Sequence, residues 1–111
     1  MTALARRLEE IAEKTGMREA EIAQLLKTTP QNVNRWRRAQ VEPKPSHLRR
    51  ILELTYAIEE LGELYAPDEA RLWLYSRHKL LAGRSPAELI VEGEFDTVLR
   101  LISQLKDGAY V

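Results

Sequence analysis

The stretch from residue 19 to residue 38, EAEIAQLLKTTPQNVNRWRR, constrains the fold of this chain more than any other. Its apolar positions predict two short helices that meet at a tight turn at Lys27. The small residue Ala23 lies four places before that turn, and Val33 and Trp36 have the spacing that packs the second helix across the first. This pattern is typical of a helix-turn-helix, whose second helix lies in the major groove of DNA.

The second of these helices carries a polar stripe suited to DNA. Thr29 is a suitable cap, and Pro30 at the first helical position is a strong start signal. Amide side chains pair with adenine, guanidinium groups pair with guanine or phosphate, and free backbone N–H groups at a helix start suit a phosphate. The predicted DNA-binding residues are Thr29, Gln31, Asn34, Arg35 and Arg38.

Further basic residues are expected to add attraction to the DNA backbone. The turn carries Lys27 where glycine is usual, and lysine adopts the required conformation at some energetic cost. An ordinary helical hairpin with a solvated polar face is the structural alternative, because many such folds serve only as scaffolds. The additional cations are Arg37, Lys44, Arg49 and Arg50.

The net charge of zero conceals an asymmetry along the chain. Residues 1–50 contain 11 basic and 6 acidic residues, a net charge of +5, whereas residues 51–111 contain 6 basic and 11 acidic residues, a net charge of −5. The excess peaks in residues 27–50, at +6. A basic front half suits a polyanionic partner. The same pattern would arise from two solvated surfaces of opposite sign that stabilise each other, or that stabilise a second copy of the chain.

The whole chain is predicted to be helical, because no alternating pattern of useful length indicates a strand. Two prolines make residues 41–45 extended, since each disfavours helix at the residue before it. We therefore predict an all-α protein with a helix-turn-helix domain at 1–45 and a small helical domain at 46–111. The predicted helices cover residues 2–14, 18–27, 30–39, 46 to 62–66, 67–81, 86–91 and 95–106.

Composition argues against several classes of function. The chain has no cysteine, which excludes disulfides and fits a reducing cytosol. The charged N-terminal stretch is unlike a signal peptide, and no apolar run approaches the roughly 20 residues that a membrane span needs. His47 and His78 are the only histidines, and no glycine-rich phosphate loop is present. We expect a cytoplasmic protein that is not an enzyme and that binds no metal or cofactor.

Several residues of the back half are expected to have structural roles. Trp73, Leu80 and Leu81 have the apolar character of core residues. Ser85 begins a capping box, with proline in the first turn of the helix that follows. His78 lies between two basic residues, which indicates an exposed basic cluster.

Three short motifs distinguish the back half: LLAGRSPAELI at 80–90, GEFDTVL at 93–99 and GAYV at 108–111. Together with the helix-turn-helix pattern ahead of them, they resemble the Xre/MbcA/ParS-type antitoxins over the whole chain. The helix-turn-helix pattern alone is a weak signal. The combination of L-x-G-x-S-P-x-E-L-I with G-A-Y-V is much more specific.

The resemblance implies an Xre-like helix-turn-helix half followed by an all-helical toxin-binding half. It also implies a partner, a RES-domain toxin that attacks NAD or uses it to modify targets. In this family the C-terminal end reaches toward the toxin's substrate cleft. From the residues alone, fraying of this tail is the alternative. The toxin-binding residues that the resemblance implies are Lys106, Asp107, Gly108, Ala109, Tyr110 and Val111.

We interpret the chain as an antitoxin that neutralises a RES-type, NAD-consuming toxin by blocking its active-site cleft. Regulation of its own operon through DNA binding is a further role to test, and we expect homo-oligomers as well as complexes with the toxin. Two alternatives stay open. The chain is a dimeric helix-turn-helix repressor whose back half only dimerises, or it is a scaffold that binds protein alone.

Overall fold

The computed structural model describes the backbone of residues 2–109 and the side chains of residues 2–108. Within that range the protein is all-α, as predicted, and extended backbone pairs only in a single bridge between His78 and Arg84. The elements in chain order are α1 (Ala3–Thr15), α2 (Glu19–Leu25), α3 (Pro30–Arg37), α4 (Pro45–Gly62), α5 (Pro67–Tyr75), a 3-10 turn (Lys79–Leu81), α6 (Pro86–Val91) and α7 (Phe95–Ala109).

Local signals account for where several helices begin and end. The Thr2 hydroxyl accepts a hydrogen bond from the Ala5 amide at 3.1 Å, and Gly16 closes α1 in the left-handed region at φ +69°. Proline is the first residue of α3, α4, α5 and α6, where its missing N–H removes no helical hydrogen bond. Thr2 and Gly16 therefore cap α1 at its two ends.

The front and back halves share one hydrophobic core. Leu8 and Ile11 of α1 are fully buried, and α1 lies against α3, α4 and α5. Val33 of α3, Ile58 of α4 and Ile102 of α7 belong to the same cluster of buried side chains. The division into domains at residues 45 and 46 stays a prediction, and the two segments are joined by this common interior.

Helix α5 is shorter than its apolar spacing predicts. The spacing predicts a helix from 67 to 81, but α5 ends at Tyr75 and Ser76 is already extended. A tight loop follows, in which the Gly83 amide donates to the His78 carbonyl at 2.9 Å. The pattern misleads because a buried leucine at the end of a loop has the same sequence signature as one on a helix.

The loop after α5 also corrects the predicted core. Trp73 and Leu81 are buried, as predicted. Leu80 is 76% exposed, so its prediction as a core residue is wrong. The 3-10 turn places consecutive leucines on different sides of the backbone, and only one of them reaches the interior.

Helix α7 continues past its predicted end. The sequence predicts that Gly108 stops the helix after Lys106, but α7 contains Gly108 and runs to Ala109. Glycine costs about 1 kcal/mol relative to alanine within a helix. Buried Val98 and Ile102 hold α7 against the core, and this packing outweighs the local preference.

The other helix boundaries lie within two residues of their predictions. α2 ends at Leu25, α3 ends at Arg37, and α4 begins at Pro45. Helix ends fray by this amount in any assignment, so none of these differences changes which residues face the core.

Candidate functional site

The turn between α2 and α3 has the backbone that the sequence pattern requires. Lys27 lies in the left-handed region at φ +56°, a conformation that costs a residue with a Cβ roughly 1–2 kcal/mol. The Thr28 amide donates to the Ala23 carbonyl at 2.9 Å across the turn. Ala23 is buried where the two helices meet. The predicted roles of Ala23 and Lys27 in the turn are both observed.

Helix α3 is oriented by its own cap and by two core side chains. The Thr29 hydroxyl accepts a hydrogen bond from the Asn32 amide at 3.2 Å. Val33 and Trp36 are buried, and the Trp36 ring lies 5.4 Å from the His47 ring of α4. These contacts determine which side of α3 faces solvent.

The outer side of α3 presents the exposed polar side chains of Gln31, Arg35 and Arg38. Asn34 is half-buried, and its amide donates to the Glu19 carboxylate at 3.4 Å. Thr29, the fifth residue of the predicted set, caps the start of α3. The predicted DNA-binding residues therefore share one surface, on which four side chains are exposed and Asn34 is half-buried. Thr29 and Asn34 also make hydrogen bonds within the protein.

Arg37 connects α3 to the rest of the molecule. Its guanidinium forms ion pairs with Glu9 of α1 and with Glu19 of α2, the latter at 3.1 Å. The Arg37 side chain is only 26% exposed, which shields these pairs from water. The sequence suggested a contribution to DNA attraction, whereas the observed contacts give Arg37 a role in fixing the position of α3.

The remaining basic residues near α3 differ in their surroundings. Lys44 and Arg49 are exposed at the start of α4, where Arg49 lies 3.9 Å from Glu53. Arg50 is half-buried and donates to the Ile90 carbonyl of α6 at 3.3 Å. The positive surface around α3 therefore extends onto the first turns of α4.

At the other end of the molecule, Lys106 holds the last turns of α7 against α4. Its ammonium group forms ion pairs with Glu60 and Glu63. The hydrogen bond from Lys106 is the main cause of a lowered pKa at Glu60, and the bond to Glu60 is the main cause of a raised pKa at Lys106. Glu60 also raises the pKa of the neighbouring Tyr56.

The predicted toxin-binding residues are described only in part. Lys106 is engaged in the ion pairs above, and Asp107 and Gly108 are exposed in the last turn of α7. Ala109 ends that helix. Tyr110 and Val111 lie outside the described residues. Sequence reasoning missed the pairing of Lys106, because its partner Glu60 lies 46 positions earlier in the chain.

The motif at 80–90 forms a compact loop and the start of α6. The Ser85 hydroxyl accepts a hydrogen bond from the Glu88 amide at 3.1 Å, so the predicted helix cap is confirmed. Arg84 forms ion pairs with Glu88, Glu92 and Glu94. These contacts give a structural role to Glu92 and Glu94, the acidic residues that follow the motif.

His78 does not belong to an exposed basic cluster, so that prediction is wrong. Its ring is half-buried and lies 5.1 Å from the ring of Trp73. Its Nε2 atom is 3.2 Å from the Trp73 carbonyl oxygen. The loop after α5 turns this side chain toward the core, while its basic neighbours Arg77 and Lys79 stay exposed.

The part of the chain that the structure describes contains neither a metal-binding cluster nor a membrane-spanning helix. Among residues 2–109, no three histidine, aspartate or glutamate side chains lie close enough together to hold a metal ion. None of the described helices combines the length and the apolar character needed to cross a bilayer.

Known proteins resemble this chain in both sequence and fold. No protein-family model matches it. It is 34% identical over 99 residues to the mycobacterial cidal antitoxin MbcA of Mycobacterium bovis and of Mycobacterium tuberculosis, which covers 89% of this chain and 88% of each relative. A chain in the crystal structure of the M. tuberculosis MbcT–MbcA toxin–antitoxin complex matches with a TM-score of 0.86 and 32% identity, over 100% of both chains.

The fold and the sequence together define the class of this protein as an antitoxin of a toxin–antitoxin system. Within that class, the chain belongs to the family of the mycobacterial cidal antitoxin MbcA. The resemblance that the motifs of the back half indicated is thereby confirmed.

Proposed function

We propose that this protein binds a partner toxin and neutralises it by blocking the toxin's active-site cleft. The observation that carries the proposal is the full-length match, at a TM-score of 0.86, to a chain from the MbcT–MbcA toxin–antitoxin complex. The small all-helical fold suits a protein that acts by occupying a surface of its partner. We propose no catalytic role for it.

The toxin in this proposal is a RES-domain protein that consumes NAD, and the blocking segment is residues 106–111. The position of α7 supports this assignment. Lys106 fastens the helix to α4 through Glu60 and Glu63, while Asp107 and Gly108 beyond it are exposed. A segment that leaves a well-anchored helix enters a cleft at a smaller entropic cost than a segment without such an anchor.

Co-expression with a genetically linked toxin, followed by removal of residues 108–111, tests this mechanism. The truncated protein should still co-purify with the toxin and melt at an unchanged temperature, but it should no longer inhibit NAD consumption by the purified toxin. Arg35→Ala, at an exposed position of α3, is the matched control and should inhibit as well as the unchanged protein. Full inhibition by the truncated protein would refute the cleft-blocking mechanism.

The same experiment separates the toxin's chemistry from the interaction itself. If the linked partner binds but consumes no NAD, the RES-domain assignment fails and the antitoxin assignment survives. If no linked protein binds, a helix-turn-helix repressor without a toxin partner becomes the better description.

We also propose that α3 binds operator DNA, which would let the antitoxin regulate its own operon. Gln31, Arg35 and Arg38 form an exposed polar surface on α3, within a segment of net charge +6. Base edges accept hydrogen bonds from such amide and guanidinium groups, and phosphates attract the surrounding cations. We expect that the protein, as an antitoxin of this kind, is cytoplasmic and forms homo-oligomers.

Gel-shift titrations with the upstream region of the operon test the DNA proposal. Arg35→Ala should weaken binding by about 1–3 kcal/mol if the guanidinium contacts a base. Asn34→Ala should also weaken binding. It additionally removes the hydrogen bond from Asn34 to Glu19, which should cost a small amount of stability. Arg77→Ala removes an exposed arginine from the back half and should leave affinity unchanged. Equal affinities for all three variants would exclude α3 as the reading helix.

A further inference from the structure

Asn34 belongs to the polar surface of α3, but one end of its side chain is already in use within the protein. Its Nδ2 atom donates to Oε1 of Glu19, the first residue of α2, at 3.4 Å. An ionised carboxylate only accepts hydrogen bonds. The group of Asn34 that faces Glu19 must therefore be the amide nitrogen, and its carbonyl oxygen is directed away from Glu19.

Glu19 is itself held in place by Arg37. Nη1 of Arg37 donates to the same Oε1 atom of Glu19 at 3.1 Å, and Nε of Arg37 donates to Glu9 of α1 at 3.0 Å. The guanidinium thus joins carboxylates from two helices and keeps the Glu19 side chain from turning away. The acceptor that orients Asn34 is therefore fixed by contacts with the rest of the fold.

The orientation of Asn34 determines which bases it can contact. An asparagine that is free to turn pairs with adenine through two hydrogen bonds, in which its oxygen accepts from N6 and its nitrogen donates to N7. When the nitrogen is held by Glu19, only the first of these bonds is available. The oxygen can then accept from the amino group of adenine or of cytosine, whereas guanine and thymine set an acceptor oxygen against it.

We propose that Glu19 is a positioning residue that makes Asn34 read an amino group in the major groove, so that Asn34 accepts adenine or cytosine and rejects guanine and thymine. This inference rests on the proposed binding of DNA by α3. Rejection follows because two acceptor oxygens that face each other at an interface are both left without a donor. An unconstrained asparagine would instead prefer adenine alone.

Selection from a library of double-stranded DNA with a randomised core, followed by sequencing of the bound fraction, tests this inference with the full chain. The same selection with Asn34→Ala identifies the position that Asn34 reads, because the preference disappears there. At that position, on one strand, the unchanged protein should select adenine and cytosine about equally. It should select guanine and thymine roughly tenfold less often.

Replacement of Glu19 should change which base is selected. In Glu19→Leu the nitrogen of Asn34 loses its acceptor and becomes available to adenine N7, so adenine should exceed cytosine by roughly tenfold. Glu19→Gln keeps an oxygen that accepts from Asn34 and from Arg37. This conservative variant should therefore retain the equal selection of adenine and cytosine.

Glu9→Leu is the matched control for Glu19→Leu. It removes the same charge from the other side of Arg37, and the Glu9 and Glu19 side chains are 33% and 32% exposed. Loss of either carboxylate should raise the affinity for all sequences alike, because it removes a negative charge beside α3. Only Glu19→Leu should change the ratio of adenine to cytosine, and circular dichroism melts should show that both variants are folded.

A measurement without DNA tests the orientation of Asn34 in the free protein. The side-chain amide signal of Asn34 in a proton–nitrogen correlation spectrum is identified by its absence from the spectrum of Asn34→Ala. This signal should shift in Glu19→Leu, which removes the acceptor of the amide nitrogen. It should stay in place in Glu9→Leu, which leaves that acceptor intact.

Four results would overturn the inference while leaving α3 as the reader of DNA. The unchanged protein selects adenine alone at this position, Glu19→Leu still selects adenine and cytosine equally, Glu9→Leu changes the selection as much as Glu19→Leu, or the amide signal of Asn34 is unchanged in Glu19→Leu. A selection that enriches no sequence would refute the binding of DNA by α3 and this inference with it, so the two failures are distinguishable.

Discussion

Helix α3 and the end of α7 are the two regions to which sequence reasoning assigns function, and they are held in place by different forces. α3 is fixed by apolar anchors, Val33 and Trp36, and by a cap at its start. The end of α7 is fixed by the ion pairs of Lys106 with Glu60 and Glu63. The first region depends mainly on burial, which is insensitive to pH, and the second depends mainly on charges, which are sensitive to it.

The contrast concerns energy as well as chemistry. Burial of a large side chain contributes several kcal/mol, whereas a partly exposed ion pair contributes at most about 1 kcal/mol. A surface built on α3 is therefore rigid under most conditions. A surface built on the last turns of α7 is adjustable by solution conditions.

Replacement of a core anchor should have the largest effect on α3. Trp36→Ala should reduce the free energy of unfolding by about 3–5 kcal/mol, because it leaves a cavity beside His47. Urea unfolding monitored by circular dichroism measures this loss. Arg35→Ala, one position away and exposed, should change stability by less than about 0.5 kcal/mol. A small effect of Trp36→Ala would show that burial does not position α3.

A smaller effect is expected from the one charge that fastens α3. Arg37→Ala should reduce the free energy of unfolding by about 1 kcal/mol, because it leaves Glu9 and Glu19 without their shared cation. High salt should diminish the difference. Arg38→Ala removes an adjacent, exposed guanidinium and serves as the control. If both variants unfold at the same denaturant concentration, the ion pairs of Arg37 do not stabilise the protein.

The weakest effect should appear at α7, as a change in pH dependence. The lowered pKa of Glu60 means that its contribution to stability is present above the ordinary value of 4.5 and is lost as pH falls through the folded-state value. The raised pKa of Lys106 means that its contribution is present below 10.5 and is lost at more alkaline pH. Lys106→Met should therefore flatten the acid side of the melting-temperature profile.

Thermal melts from neutral to acidic pH provide that measurement. Arg100→Met removes an exposed cation from the same helix and should keep the profile of the unchanged protein. Identical acid profiles for Lys106→Met and the unchanged protein would show that charge does not anchor the end of α7.

Sequence reasoning was most accurate where the determinants are local. Thr29, Pro30 and the spacing of Val33 and Trp36 predict the start and the buried side of α3 within a window of a few residues. Lys27 was correctly identified as the residue of the turn that replaces glycine. The family was predicted from the motifs of the back half, and the comparison with MbcA confirms it.

The errors arose where distant parts of the chain decide the outcome. The end of α5 depends on a loop that is closed by pairing between His78 and Arg84. The apolar spacing that continues to Leu80 predicts a longer helix and gives no sign of this loop. The ion pair between Lys106 and α4 was not predicted, because Glu60 lies 46 positions earlier in the chain. The DNA-binding and toxin-binding residues themselves stay predictions, since they concern molecules outside this chain.

The position of α1 has a consequence for the lifetime of the protein. α1 lies against α3 in the front half and against α4 and α5 in the back half, so neither half keeps its interior when α1 detaches. Unfolding should then be a single cooperative event. A protease that captures the opened chain would remove the surfaces proposed for DNA and for the toxin at once, and the two proposed activities would decline in the cell with one common half-life.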